Sequence, residues 1–243
     1  MPIYETGHAR NVQHFQEMIS FVDSWGGAYA PTNTAISLAN LNVKNNDSVN
    51  AVGAVTAANA TYKAAVAARE NTFSGLRRLI TRVVNFYQST GAPENSIENA
   101  QSLKRKIDGT RAEIVVDDPS TPEDETENSV SAAQLSYTQL VQHLDALINV
   151  LSSDPLYAPA ETDIKLTTLT TLRSNMETAN TAVMTAAVPL SNTRGDRDAA
   201  LYADGTGLVD LAGLVKKYTK AAFGTNSLQY SQIKGLPFNR PNK

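Results

Sequence analysis

The residue types that most often carry out chemistry are scarce in this sequence. It has no cysteine, which excludes disulfides, thiolate zinc sites and cysteine nucleophiles together. Its three histidines are His8, His14 and His143. A di-iron helical bundle uses two Glu-x-x-His pairs that project from facing helices, whereas this chain offers only the reversed spacing of His14 with Glu17 and a histidine beside Asp145. We therefore predict no metal ligand and expect His14 and His143 to flank apolar stripes.

Loops that bind phosphate and motifs that activate a nucleophile are also missing from the sequence. The only G-x-G run is Gly205-Thr206-Gly207, which lacks the third glycine of a dinucleotide fingerprint and follows no predicted strand. No G-x-S-x-G elbow is present. We predict that the chain is not an enzyme, that it has no catalytic residue, and that it uses no cofactor, metal or small-molecule ligand.

A charged pair recurs at one place in each half of the chain. Arg69 is followed by Glu70, and Arg197 is followed by Asp198. A binding role is conceivable for both arginines. A structural ion pair or cap is the simpler interpretation, because a repeated binding function is expected to bring perturbed, chemically recognisable groups with it.

The elements that hold these residues repeat along the chain at an offset of 128 residues (157 minus 29). Tyr29-Ala30-Pro31 matches Tyr157-Ala158-Pro159 at this offset. A shared offset across a turn and the helix that follows it indicates an internal repeat. The further matching pairs are Thr34/Thr162, Ile36/Ile164, Leu38/Leu166, Leu41/Leu169, Ala54/Ala182, Val55/Val183, Ala58/Ala186 and Arg69/Arg197.

Apolar spacing in each repeat is typical of helices rather than strands. In the second repeat the stripe alternates at three and four residues, as in the seam of an antiparallel bundle: Leu169, Leu172, Met176, Ala179, Val183, Ala186 and Leu190. The only β-like run is 112–116, which is too short to build a sheet. Helices are predicted at 8–26, from Pro31 onward, at 64–89 and at 95–107, and in the second repeat at 193–222 and 227–233.

We therefore predict an all-α fold of two tandem antiparallel helical bundles that arose by internal duplication. Each bundle is expected to contain three long helices and a short fourth. The predicted boundaries are a first bundle over 1–112, an acidic, proline-containing linker over 113–133, a second bundle over 134–235 and an extended basic tail over 236–243.

The Tyr-Ala-Pro turns and the repeated arginines, Arg69 and Arg197, resemble bacterial helical-bundle proteins in which such units occur in tandem. The resemblance covers most of the chain. It implies the same all-α architecture, and it implies no activity, because none is assigned to that family.

Charge is unevenly distributed around the predicted linker. Residues 117–127 are rich in acidic side chains and prolines, and the run Lys104-Arg105-Lys106 precedes them. The formal net charge is only −3, and no aromatic residues interleave with the basic run. We therefore predict no nucleic-acid partner. The acidic segment is expected to be a solvated loop or a partner for the basic face.

Low charge points to function through contact with other proteins. Charged residues make up 19% of the chain, below the roughly 25% of an average soluble domain. We predict a structural protein that self-assembles into a homo-oligomer through its helix faces and tail. The alternatives are an adaptor for a different protein and, ranked last, an enzyme or small-molecule binder. The candidate partner-binding residues are Phe238, Arg240, Lys243, Asp117, Asp118, Glu123, Asp124 and Glu125.

Two further expectations concern location and the tail. No charged and apolar leader opens the sequence, and no apolar run approaches the roughly 18 residues of a membrane span. We predict a cytoplasmic protein without membrane insertion. Phe238 is expected to anchor the tail on a neighbouring chain, with Arg240 and Lys243 facing its acidic segment. The alternative is that the tail folds back on its own bundle.

Overall fold

The computed structural model describes residues 7–109 and 135–241. Over these residues the protein is all-α, without strands, which confirms the predicted fold class. None of the helices in these two ranges combines the length and apolar character that crossing a bilayer requires. The helices are α1 (Gly7–Ser24), α2 (Leu38–Phe73), α3 (Leu76–Gln88), α4 (Glu94–Asp108), α5 (Tyr137–Ser152), α6 (Leu166–Tyr202), α7 (Leu208–Phe223) and α8 (Leu228–Lys234), with 3-10 turns at Gly26–Ala28, Thr34–Ile36 and Thr162–Ile164.

Two of the helices end further along the chain than the sequence predicted. Helix α2 has 36 residues and α6 has 37. The prediction of a separate helix starting at residue 64 is wrong, because α2 continues through the alanine-rich stretch there without a glycine or proline to end it. The break falls instead at Gly75, which has φ +80°, a conformation that other residues rarely adopt. In the second repeat the helix predicted at 193–222 does not form as one element: α6 continues through residue 193 to Tyr202, and α7 begins at Leu208, after Gly205 and Gly207.

The helices form two compact units. Unit 1 comprises Met1–Lys63 with Ala186–Lys243, and unit 2 comprises Ala64–Thr185. The predicted bundles were instead continuous in sequence, and the structure does not confirm that tandem arrangement. The physical difference lies in α2 and α6, because each helix contributes one part to unit 1 and the other part to unit 2. The predicted linker, 113–133, lies outside the described residues.

Unit 1 is built around α1 and α7, which pack against each other and against α8. Helix α7 also contacts the 3-10 turn Thr34–Ile36. Fully buried side chains such as Phe15, Met18 and Leu201 fill this core. The Tyr29 hydroxyl donates a hydrogen bond to the carbonyl of Ile36 at 2.8 Å and so closes the turn between α1 and α2.

Unit 2 is built from α3, α4 and α5, with α4 packed against both of the others. Helix α3 also contacts the 3-10 turn Thr162–Ile164. Its turn is closed in the same way as that of unit 1, because the Tyr157 hydroxyl donates to the carbonyl of Ile164 at 2.6 Å. Burial raises the pKa of Tyr157 to about 12, so this hydroxyl keeps its proton at neutral pH.

The stripe predicted for the second repeat is confirmed as the inward face of α6. Its members at seven-residue intervals, Leu169, Met176, Val183 and Leu190, are all buried. The interval of seven residues, two turns of helix, keeps these side chains on one face over most of the length of α6. Away from this face, Met184 and Val188 of α6 are exposed.

Candidate functional site

The candidate partner-binding residues fall into two groups in the structure. Lys243 and the five acidic candidates, Asp117, Asp118, Glu123, Asp124 and Glu125, lie outside the described residues. Phe238 and Arg240 lie in the C-terminal arm, residues 235–241, which follows α8 as extended chain.

Phe238 packs against its own unit. Its ring meets Phe15 edge to face with centroids 6.5 Å apart, and it meets His14 in the same way at 6.2 Å. The Lys216 ammonium lies 5.2 Å from the centre of the Phe238 ring. The His14 ring donates a hydrogen bond from Nδ1 to the carbonyl of Pro237 at 2.8 Å. The ring is therefore an anchor within unit 1, on a side chain that remains partly exposed.

Arg240 is held by carboxylates of the same unit. Its Nη2 contacts Asp210 at 2.7 Å, and its Nη1 contacts Asp204 at 3.3 Å and the carbonyl of Tyr202 at 3.0 Å. The hydrogen bond from Arg240 lowers the pKa of the Asp210 carboxyl, and the backbone N–H of Gly205 adds to that effect. The guanidinium is thus already paired at three acceptors.

A buried amide clamps the arm between these two anchors. Asn11 is only 1% exposed, and its side chain makes two hydrogen bonds with the backbone of Asn239. Its Nδ2 donates to the Asn239 carbonyl at 2.7 Å, and its Oδ1 accepts from the Asn239 N–H at 3.0 Å. Together the contacts of Phe238, Arg240 and Asn239 place the arm on its own unit, which corresponds to the alternative expectation for the tail.

Helices α2 and α6 present a different kind of surface. No charged side chain occurs between residues 48 and 62 of α2 or between residues 178 and 193 of α6. We call these stretches the charge-free segments. On α6 the exposed face carries Met184 and Val188, 72% and 59% exposed and one turn apart. On α2, Val49 is 46% exposed and its neighbours on that face are Gly53, Thr56 and alanines.

The repeated arginines have structural contacts that differ between the repeats. Arg197 pairs with the adjacent Asp198, with Nη2 and Oδ1 2.7 Å apart. Arg69 instead lies over the ring of Tyr137, with the guanidinium carbon 3.9 Å from the ring centre, and its buried Nε has no hydrogen-bond partner among residues 7–109 and 135–241. An ion pair with Glu70 does not occur among the described contacts. Arg197 thus pairs with the acid that follows it, whereas Arg69 makes a cation–π contact in place of that pair.

The surroundings of two histidines lower the pKa of each imidazole. Burial, followed by the charge of Arg197, lowers the pKa of His8. The Tyr202 hydroxyl accepts from Asn11 and lies 2.8 Å from His8 Nδ1, an arrangement that suits a neutral imidazole accepting the hydroxyl proton. Burial, followed by the charge of Lys106, lowers the pKa of His143. Within residues 7–109 and 135–241, no cluster of three His, Asp or Glu side chains could hold a metal ion.

Unit 2 contains a cleft of about 400 Å³ with an apolar floor and a basic rim. Arg77 and Arg78, in the first turn of α3, form the rim, and neither makes a salt bridge in the part of the chain that the structure describes. We call this feature the arginine cleft. The floor and back of the arginine cleft are formed by Phe73, Gly75, Leu76, Ile107 and Leu140.

The sequence contains a second repeat, at an offset of 129 residues (141 minus 12), near two of these features. The triplet Val-Gln-His occurs twice, at Val12-Gln13-His14 in α1 and at Val141-Gln142-His143 in α5. In unit 1 its histidine, His14, contacts the arm, and in unit 2 the triplet follows Leu140, which lines the arginine cleft. The charge-free segments were also readable from the sequence, whereas the cleft was not, because its residues come from four separate helices or helix ends.

Comparisons with known proteins do not identify a relative. No protein-family model, no curated protein and no solved structure matches the chain. The resemblance to bacterial tandem helical-bundle proteins therefore stays a prediction.

Proposed function

We propose that this protein is a non-enzymatic structural or assembly protein that packs against further copies of itself through the exposed faces of α2 and α6. The observation that carries this proposal is the pair of charge-free segments, which occupy overlapping positions in the two repeats. A cytoplasmic location remains part of the proposal.

Exposed helix faces in soluble proteins are normally polar and charged. Here the middle of α6 exposes Met184 and Val188 among threonines and alanines, with no charged residue between 178 and 193. Large apolar side chains that share one surface patch mark sites of protein contact. Complete burial of Met184 or Val188 in an interface would contribute about 1.5–3 kcal/mol for each side chain to the free energy of association.

The C-terminal arm is not part of the proposed interface. Phe238 and Arg240 make their contacts within unit 1, so a neighbour could use them only after these contacts were broken. The helix faces carry no such cost, because their side chains are exposed in the described structure. We therefore propose assembly through the long helices alone, without the tail.

The test is the mass of the native particle as a function of protein concentration. Met184→Glu and Val188→Glu place charges in the proposed interface and should raise the dissociation constant at least tenfold, about 1.4 kcal/mol. Leu228→Glu is the matched control, because Leu228 is 71% exposed on α8, outside the charge-free segments. A wild-type protein that stays monomeric throughout the micromolar range would reject the proposal.

We also propose that the two units share one scaffold and that each unit combines helices from both sequence repeats. The tyrosine-closed turns support this, as does the edge-to-face contact of Tyr29 with Tyr218 and of Tyr157 with Tyr87, at 5.2 and 5.9 Å. Unit 1 takes α1 from the first repeat and α7 and α8 from the second. Unit 2 takes α3 and α4 from the first repeat and α5 from the second.

An adaptor that binds a different protein is the second candidate. The arginine cleft favours it, since Arg77 and Arg78 border an apolar cavity without a carboxylate partner in the described ranges. That cleft is separate from the charge-free segments, so the two candidates can be tested independently.

A further inference from the structure

A second stripe of residues runs along α6, separate from the inward face of that helix. Its members recur at alternating intervals of four and three residues, the spacing of a coiled-coil seam, and all of them are exposed. They are Glu177, Thr181, Met184, Val188, Ser191 and Gly195. We call this set the outer stripe. It spans the charge-free segment of α6 and has the exposed apolar pair at its centre.

The outer stripe is complementary to its own reversed copy. Reversal about residue 186 pairs its members as Met184 with Val188, Thr181 with Ser191 and Glu177 with Gly195. The two apolar side chains then meet each other, and so do the two small hydroxyl side chains. The glutamate meets the one position that has no side chain. A surface that matches its own reversed copy is what a twofold contact between identical chains requires.

Nothing in the described residues requires a glycine at position 195. Gly195 lies inside α6, where glycine lowers helix stability relative to alanine. It is not one of the glycines with a positive φ, and a Cβ at this position would meet no other atom of the described structure within 4 Å. Neither the backbone nor the packing of its own unit therefore explains the glycine. The missing side chain does leave room for a second helix.

The charges that border the charge-free segment of α6 favour an antiparallel pair. The first charged residue before the segment is Glu177, and the first one after it is Arg194. In a parallel pair of α6 helices each of these charges would lie beside its own copy, whereas an antiparallel pair brings opposite charges together. Glu177 pairs with Arg173 of its own helix at 3.0 Å, and a carboxylate has acceptor sites for a second guanidinium as well.

The threonines of this part of α6 are compatible with a dry contact. The Thr181 hydroxyl donates to the carbonyl of Glu177 at 3.1 Å, and the Thr178 hydroxyl donates to the carbonyl of Ser174 at 2.9 Å. Because both donors are satisfied within the helix, a second chain can cover them without leaving a buried donor unpaired. Their methyl groups are then available for packing.

We propose that α6 pairs with α6 of a second copy in an antiparallel dimer whose twofold axis passes near residue 186. Met184 of each copy packs against Val188 of the other, and Glu177 of each copy lies over Gly195 and beside Arg194 of the other. The inference rests on the proposed assembly through the long helices and adds an orientation, a register and a symmetry to it. A twofold contact uses the same surface on both chains, so the α6 contact is complete with two copies.

The experiment uses single cysteines, because the chain has none of its own. Full-length Thr181→Cys and Ser191→Cys are oxidised separately and as an equimolar mixture, and the cross-linked dimer is measured by gel electrophoresis. The proposed register places residues 181 and 191 of different copies opposite each other, within reach of a disulfide. In a dimer of one variant the two cysteines lie about 15 Å apart along the helix axis. The mixture should therefore cross-link at least tenfold faster than either variant alone.

The matched control is a mixture of Thr181→Cys with Thr170→Cys. Thr170 is exposed on α6 seven residues before the outer stripe, so this mixture should cross-link no faster than either variant alone. Rapid cross-linking of Thr181→Cys or Ser191→Cys alone would indicate a parallel pair and overturn the proposal. So would a Thr181→Cys/Ser191→Cys mixture that is no faster than the control while the wild type is oligomeric by mass. A monomeric wild type would reject the proposed assembly itself and this pairing with it, so the two failures are distinguishable.

Discussion

Replacement of Asn11 by aspartate tests how firmly the C-terminal arm belongs to unit 1. Asn11 is 1% exposed, and its amide pairs with the backbone N–H and carbonyl of Asn239. Asn11→Asp keeps the size of the side chain and the acceptor for the N–H. It removes the donor and brings a second oxygen to the carbonyl, where nitrogen and oxygen are 2.7 Å apart in the native protein.

The magnitude follows from those contacts. Two donated hydrogen bonds are lost, to the Asn239 carbonyl and to the Tyr202 hydroxyl, at about 1 kcal/mol each. Ionisation of a buried carboxyl adds a further penalty of about 1–3 kcal/mol unless the arm detaches and admits water. We expect a loss of about 3 kcal/mol, limited by the free energy with which the arm docks.

The assay is hydrogen exchange of the full chain, because two units need not unfold in a single transition. Amides of α1 and α8 should exchange faster in Asn11→Asp at pH 7, while those of α4 and α5 should be unchanged. The folded state raises the pKa of the new carboxyl, so protonation relieves the penalty and the gap to wild type should narrow as the pH falls toward about 4. A change below about 0.5 kcal/mol, or one independent of pH, would refute the assigned clamp.

Three further perturbations have defined outcomes. The pKa values of His8 and His143 are lowered from 6.5, so near that pH the folded state binds fewer protons than the unfolded state. Urea denaturation should therefore show a free energy of unfolding that falls as the pH drops below about 6.5. The double variant His8→Gln/His143→Gln should lose this pH dependence. Pro189 lies inside α6 and is exposed, and Pro189→Ala should raise the free energy of unfolding by about 2 kcal/mol. This value is the roughly 3 kcal/mol that a proline costs inside a helix, less the stabilisation that proline gives by restricting the unfolded chain. An unchanged melting temperature would contradict it. Deletion of residues 236–243 should lower the free energy of unfolding of unit 1 by about 3 kcal/mol, because the contacts of Phe238 and the hydrogen bonds of Asn239 are lost. The number of subunits in the native particle should not change. If the oligomer dissociates on deletion, the arm is part of the interface.

The sequence predicted local features of the fold well. Helical periodicity identified the all-α class, and α4 and α8 begin within a residue of the predicted starts. The repeated Tyr-Ala-Pro turns were also informative, because each tyrosine closes its turn through a hydrogen bond seven residues away, to Ile36 or Ile164. Such short-range contacts are set by neighbouring residues and therefore recur wherever the sequence recurs.

Long-range features were beyond the sequence for physical reasons. An apolar stripe indicates that a helix has an inward face, but it does not indicate which other helix covers that face. We therefore predicted bundles that are continuous in sequence, whereas α1 packs against α7 and α8 from the other end of the chain. The arm presented the same ambiguity. Phe238 and Arg240 have the composition of an anchor, and only the position of Asn11 and Asp210 shows that they bind within their own unit.

The most direct test of the central claim is the native mass of the protein across the micromolar range, compared with that of Met184→Glu/Val188→Glu and of Leu228→Glu. If the protein assembles through its long helices, the wild type and Leu228→Glu should form the same oligomer. We expect the Met184→Glu/Val188→Glu oligomer to dissociate at a concentration at least tenfold higher, because these substitutions replace two exposed apolar side chains of α6 by carboxylates. A monomeric wild type, or an oligomer that tolerates both charges on α6 but not the one at Leu228, would contradict assembly through the long helices.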